Sequence, residues 1–129
     1  MAHYQLKDKW IWLTGASSGI GLEVVKSLLE EGAHVIACSR NTDSLSELKS
    51  SYSNQLHPMS LDVSNPVAVI KSVETIKTMT NHLDMVFLNA GQCKYVDLPE
   101  FSVETIKQNM SVNFDGLIYC IESALPLLR

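Results

Sequence analysis

Short apolar or β-branched runs alternate along this chain with longer stretches whose apolar residues recur at helical spacing, the pattern of βαβ units and a parallel sheet. The first run is WIWL at 10–13. After it, Ile20, Val24, Val25, Leu28 and Leu29 fall on one predicted helical stripe, Glu23, Lys26, Glu30 and Glu31 lie mostly off it, and Gly32 stands where that helix should stop. A second strand is expected over 34–38, then a short polar helix over 42–50 that Asn41 or Thr42 can cap. A third strand is expected over 55–61. Ser64-Asn65-Pro66 then supplies a cap and a first-turn proline for a helix running to 79, with Val67, Ile70, Val73 and Ile76 inward. DMVFL at 84–88 reads as a fourth strand covered on both faces, because it is almost unbroken in apolar character. A loop follows, then a long helix over 102–125 with Pro126 near its end, where a proline does least damage.

Composition narrows the function rather than the fold. A chain of 129 residues, 46% hydrophobic and 19% charged, suits one folded domain spanning 1–129, and it has no repeat, linker or low-complexity tract. Its net charge of -4, with no basic patch, argues against nucleic acid and anionic lipid as partners. The longest uncharged stretch, 10–22, falls short of the roughly 20 apolar residues a membrane helix needs. No secretory pattern opens the chain, so the expected location is cytoplasmic. Cys38, Cys93 and Cys120 suit neither a disulfide framework nor a metal site, and each reads as a small buried apolar residue. His3, His34, His57 and His82 lie scattered without ligand spacing, so no metal is expected.

Chemistry enters with Thr14-Gly15-Ala16-Ser17-Ser18-Gly19-Ile20-Gly21, placed between the first strand and the first helix. Three glycines in seven positions allow a sharp turn, a close backbone approach and tight helix–sheet packing, while free N–H groups and the helix dipole favour an anion. The reading is a phosphate site; the alternative is a tight strand-to-helix turn that binds nothing. The spacing is GxxxGxG, not GxGxxG, and no GK[ST] follows. Here the sequence resembles the short-chain dehydrogenases/reductases, whose loop is TGxxxGIG after the first strand. The resemblance continues through Asp62-Val63, Asn89-Ala90-Gly91 and Val112-Asn113, in order from one end of the chain to the other. It implies a Rossmann-type three-layer αβα fold with a parallel sheet in the order 3-2-1-4. By the same resemblance, a nicotinamide cofactor would be held by Gly15, Ser17, Ser18, Gly19, Ile20 and Gly21 of the loop. In the family, the aspartate matched by Asp62 contacts the adenine amino group and the residue matched by Val63 lines the ring; the other reading of Asp62 is a turn or cap. Asn89 can bridge neighbouring backbones, and Gly91 lets the chain pass close to the cofactor, as the motif that includes Ala90 does in relatives. Leu88 stands where many relatives have a second Asn.

At the end of the second strand, Ser39 occupies the position where NAD-using relatives carry aspartate, and Arg40 follows. A guanidinium and a hydroxyl suit a 2′-phosphate, which favours NADP over NAD, although Ser18 stands where some NADP-binding relatives have a further basic residue. A solvated surface arginine is the alternative for Arg40. Of the family's catalytic Asn, Ser, Tyr and Lys, only the Asn is matched, as Asn113. Tyr4, Tyr52, Tyr95 and Tyr119 are followed four residues on by Asp8, Leu56, Pro99 and Ser123, so no Tyr-x-x-x-Lys is present. The chain therefore looks like the N-terminal half, truncated after the fourth strand and long helix, of an NADP-dependent oxidoreductase acting on a small carbonyl or alcohol. The other reading is a short product that binds nucleotide or pairs with a relative without catalysis. In relatives the long helix packs at the subunit interface, so a homo-oligomer through 102–125 is expected.

Overall fold

A computed structural model describes residues 4–129, which leaves His3 outside the described residues. Four parallel strands, β1 (Trp10–Thr14), β2 (His34–Ser39), β3 (Leu56–Ser60) and β4 (Met85–Leu88), form one sheet in the order β3-β2-β1-β4. The register Ile11↔Met85 joins the two strands most distant in sequence. Helices cover both faces, giving three layers. On one face, α1 (Gly19–Glu30) and α2 (Asp43–Ser51) bury Val25, Leu28, Leu29 and Leu45 against Ile11, Leu13, Val35, Ala37 and Leu56. On the other, α3 (Pro66–Met79) and α5 (Gly116–Ala124) bury Val69, Val73, Ile76, Cys120 and Ala124 against Trp12, Ile36 and Cys38. Alternate residues of β1 and β2 thus go to opposite cores, as a strand's period of two requires.

Local chemistry sets most boundaries where the sequence placed them. Gly32 follows α1 with φ +84, a left-handed stop, and Asn65 caps α3 by accepting the Ala68 N–H at 3.1 Å. At α2 it is Asn41, not Thr42, whose side chain accepts the Asp43 N–H, at 2.9 Å. Pro58 is tolerated in β3 because that strand lies at the sheet edge.

Four expectations about packing are corrected. Ile20 is 76% exposed, and Val67 and Ile70 are 57% exposed, so none belongs to the core. In α3 the inward row is Val69, Ser72, Val73 and Ile76, and both sides of this helix carry apolar residues. β4 is half-buried along its whole length rather than covered, because it has a strand neighbour, β1, on one side only. Below it, the outer side is partly occupied: Leu83 pairs in parallel with Leu128, donating its N–H to Leu127 at 2.7 Å and accepting the Arg129 N–H at 3.1 Å. The long helix is not continuous either. α4 (Val103–Met110) gives way to a π-helical turn, Ser111–Asp115, before α5, and Pro126 sits in a closing 3-10 turn, Leu125–Leu127.

Candidate functional site

A cleft of about 200 Å³ opens at the C-terminal ends of the strands, the place where open parallel sheets hold ligands. The loop after β1 forms its floor. Gly15 has φ +70, and a Cβ there would stand 2.9 Å from the Cα of Ala90, so a side chain is excluded on two counts. Gly21 packs closer still: a Cβ would run into the Gly15 carbonyl oxygen and come within 2.6 Å of Asn89 Nδ2. Asn89 fastens this crossing by donating from Nδ2 to the Gly15 oxygen at 3.1 Å, and Thr14 Oγ1 accepts the Ala90 N–H at 3.2 Å. No side chain caps the first turn of α1, where Ser18 is the N-cap, so its N–H groups are left for another acceptor.

The β2 end of the cleft is lined by Ser39 and Arg40. Ser39 Oγ donates to Ser17 Oγ at 2.7 Å, which leaves the Ser17 proton free to point elsewhere, and Ser44 Oγ holds the Ser17 carbonyl at 2.8 Å. On the far side of β2, Asp62 lines the cleft while one of its oxygens, Oδ1, accepts the Ser64 N–H and hydroxyl at 3.0 and 2.7 Å. It is thus a turn aspartate with its second oxygen uncommitted. Val63 lies buried beneath Gly116, whose Cβ would meet the valine methyl at 2.7 Å.

Ten sequence-predicted positions come together here: Gly15, Ser17, Ser18, Ser39, Arg40, Asp62, Val63, Asn89, Ala90 and Gly91 all line the cleft. Gly19 and Ile20 instead border a shallow apolar dent on the outer face of α1, and Gly21 is buried under Asn89. Leu61 and Val112 complete the lining. Neither was singled out as a site residue; each directly precedes a residue that was, so adjacency was the available signal. Ser44 had no such signal, since only the folded chain brings it to Ser17.

Asn113 lies outside that lining, in the π-helical turn. Its Oδ1 accepts the Gln92 N–H and its Nδ2 donates to the Gln92 carbonyl, both at 2.7 Å, so its amide is occupied with backbone at both ends. Among the cysteines, Cys38 and Cys120 are buried, and burial pushes their thiols up to about 12 and about 11, which makes them inert as nucleophiles. Cys93 corrects the expectation of a buried residue: it is exposed, on the loop after Gly91. Among the described residues no group of three His, Cys, Asp or Glu could hold a metal, and no helix is long and apolar enough to cross a membrane.

Residues 9–129 match the family model described as short chain dehydrogenase. An uncharacterized oxidoreductase of Schizosaccharomyces pombe is 33% identical over 119 residues, which is 92% of this chain and 39% of the relative. The solved RhlG/NADP active-site complex of Pseudomonas aeruginosa superposes with a TM-score of 0.87 at 26% identity, covering 95% of this chain and 49% of that one. A Brucella melitensis structure described as a short-chain dehydrogenase/reductase, glucose/ribitol dehydrogenase, shares the fold, with a TM-score of 0.90 at 22% identity over 99% of this chain and 55% of that one. The chain thus spans between about two-fifths and just over half the length of these proteins.

Proposed function

The chain belongs to the short-chain dehydrogenase family, and from that premise we propose that its cleft binds NADP(H), as the nucleotide site of an oxidoreductase that interconverts a small carbonyl and its alcohol in the full-length protein. The observation that carries the reading is the pairing of Ser39 and Arg40 on the cleft rim at the end of β2, where a ribose 2′-substituent is read. A guanidinium there favours a dianion over a hydroxyl. The uncapped first turn of α1 suits the pyrophosphate, and the close glycine crossing leaves it room. The Pseudomonas relative, solved with NADP, supports the choice of cofactor.

When bound, NADPH supplies the hydride. The residues here would bind and orient the cofactor: Ser17 and Ser39 would offer hydroxyls, Arg40 a charge, the free oxygen of Asp62 would accept a hydrogen bond from the adenine amino group, and Val63 would line the ring. Asn89 keeps the loop and β4 in register. These 129 residues contain no Tyr-x-x-x-Lys, so the reading assigns them binding, and the proton transfer of turnover to groups of the full-length protein. Its setting is the cytoplasm, and its partner a second copy seated on the long helix.

Calorimetric titration with NADPH and NADH tests the cofactor assignment. NADPH is expected to bind more tightly, and Arg40→Ala is expected to reduce that preference by about tenfold or more, the worth of a hydrogen bond to a charged group. An unchanged ratio would remove Arg40 from the site.

A further inference from the structure

Two asparagines one helical turn apart grip the segment after Gly91 in the same way. Asn113 pairs with the N–H and the carbonyl of Gln92, and Asn109 pairs with the N–H and the carbonyl of Lys94, each of its bonds at 2.9 Å. The match has a geometric reason. Four residues of helix rise about 6 Å and two residues of strand about 6.6 Å, so amides at i and i+4 meet alternate residues of an extended chain. A side-chain amide also carries a donor and an acceptor side by side, as a strand residue does. Gln108 touches both rungs: its carbonyl accepts from Gln92 Nε2 at 3.0 Å and its Oε1 from Lys94 Nζ at 2.8 Å.

The ladder starts at the cleft. Gly91 and Val112 both line it, and the next residue of each segment, Gln92 and Asn113, makes the first rung. The second rung decides whether 92–94 is a fixed wall or is hinged at Gln92 alone. This segment continues from Gly91, the last lining residue at the β4 end of the cleft, across β1 from Arg40, and Gln92, Cys93 and Lys94 lie just beyond the lining. If the adenosine half lies at the β2 end, the segment borders the nicotinamide half. We infer that Asn109 is a positioning residue: through the Lys94 backbone it sets the wall against which the nicotinamide end of the cofactor rests. The inference rests on the NADP(H) reading above.

The test compares two probes that share the adenosine half: NADPH, and adenosine 2′,5′-bisphosphate, which lacks the nicotinamide end. Each is titrated into the chain by calorimetry. Asn109→Leu is expected to weaken NADPH about tenfold, the worth of two hydrogen bonds, and to leave the bisphosphate unchanged. Asn109→Asp keeps the bond from the Lys94 N–H and loses the other, so its NADPH affinity should fall in between. Lys94→Pro removes the first of these bonds from the loop side and stands in if Asn109→Leu does not fold. Equal loss of both probes would mark Asn109 as merely structural and overturn the inference, as would no loss of either. A wild-type chain that binds both probes equally would also overturn it. A wild-type chain that binds neither would overturn the cofactor reading itself, which separates the two failures.

Discussion

Protonating His57 adds charge to a crowded place. Its ring stacks with Trp10 at 5.3 Å and with His34 at 6.2 Å between centroids, while Trp10 and His34 stack at 4.5 Å, so three strands contribute to one pile. His57 Nε2 and His34 Nδ1 are buried without a hydrogen-bond partner. Burial, then the Lys49 ammonium, then His34 hold the His57 pKa below its ordinary 6.5. Because the unfolded chain takes up this proton at a higher pH than the folded one, the neutral ring's contribution is whole above 6.5 and is lost as pH falls below that value. Urea midpoints should therefore drop between about pH 7 and about pH 5, and His57→Phe, which keeps the stack and removes the proton, should flatten that limb. Sequence reading saw four scattered histidines, since pairing across strands depends on register, which no local pattern announces. It did find Gly15, Ser39, Arg40, Asp62 and Asn89, because the ends of parallel strands are brought together by topology alone. It misplaced Ile20, Val67 and Ile70, where apolar residues on two sides of a helix made the inward face ambiguous.

At the level of elements, the crossing of the glycine loop under Asn89 leaves no room for a methyl group at Gly21. Gly21→Ala should lower stability by about 1–3 kcal/mol through overpacking, since the gain in helix propensity, at most about 1 kcal/mol, offsets part of the clash. It should weaken NADPH more than it lowers the urea midpoint would suggest, because the Gly15 carbonyl and Asn89 amide shift with it. A variant that keeps both stability and binding would show that the loop accommodates a methyl elsewhere. Strands and helices were legible within one or two residues because caps, glycines and prolines mark their ends. The π-helical turn was not. Nothing in Ser111–Asp115 breaks a helix, and the wider turn falls where the helix passes from the asparagines that grip the loop to Gly116, Cys120 and Ala124, which face the sheet.

For the whole molecule, exposed apolar surface is the dominant fact. Ile106, Met110, Phe114, Ile118, Ile121 and Leu125 are all exposed along α4, the π-helical turn, α5 and the start of the closing 3-10 turn, and the outer side of Met85–Leu88 pairs with no strand among the described residues. Both features invite association. Size-exclusion chromatography with light scattering is expected to show species larger than the 14.3 kDa monomer, and charge placed at Met110 and Ile121 should reduce them. A monodisperse monomer would show that some other contact shields the stripe. The sheet order has a further consequence, in the time course of folding. β1 meets β2 by the pair Trp10↔His34 and β2 meets β3 by Val35↔Leu56, whereas Ile11↔Met85 closes a loop about three times as long, at an added entropic cost of about 1 kcal/mol. The three strands β3, β2 and β1 should therefore assemble first and β4 dock last. Amides of β4 should then exchange with solvent through the lowest-energy openings, and those of β1 and β2 only on global unfolding. Asn89 and Ala90 arrive with β4, so the glycine loop acquires its final shape in that closing event. A nucleotide spanning the cleft would latch the last strand in place, making the slowest step of assembly the one that its ligand makes hardest to reverse.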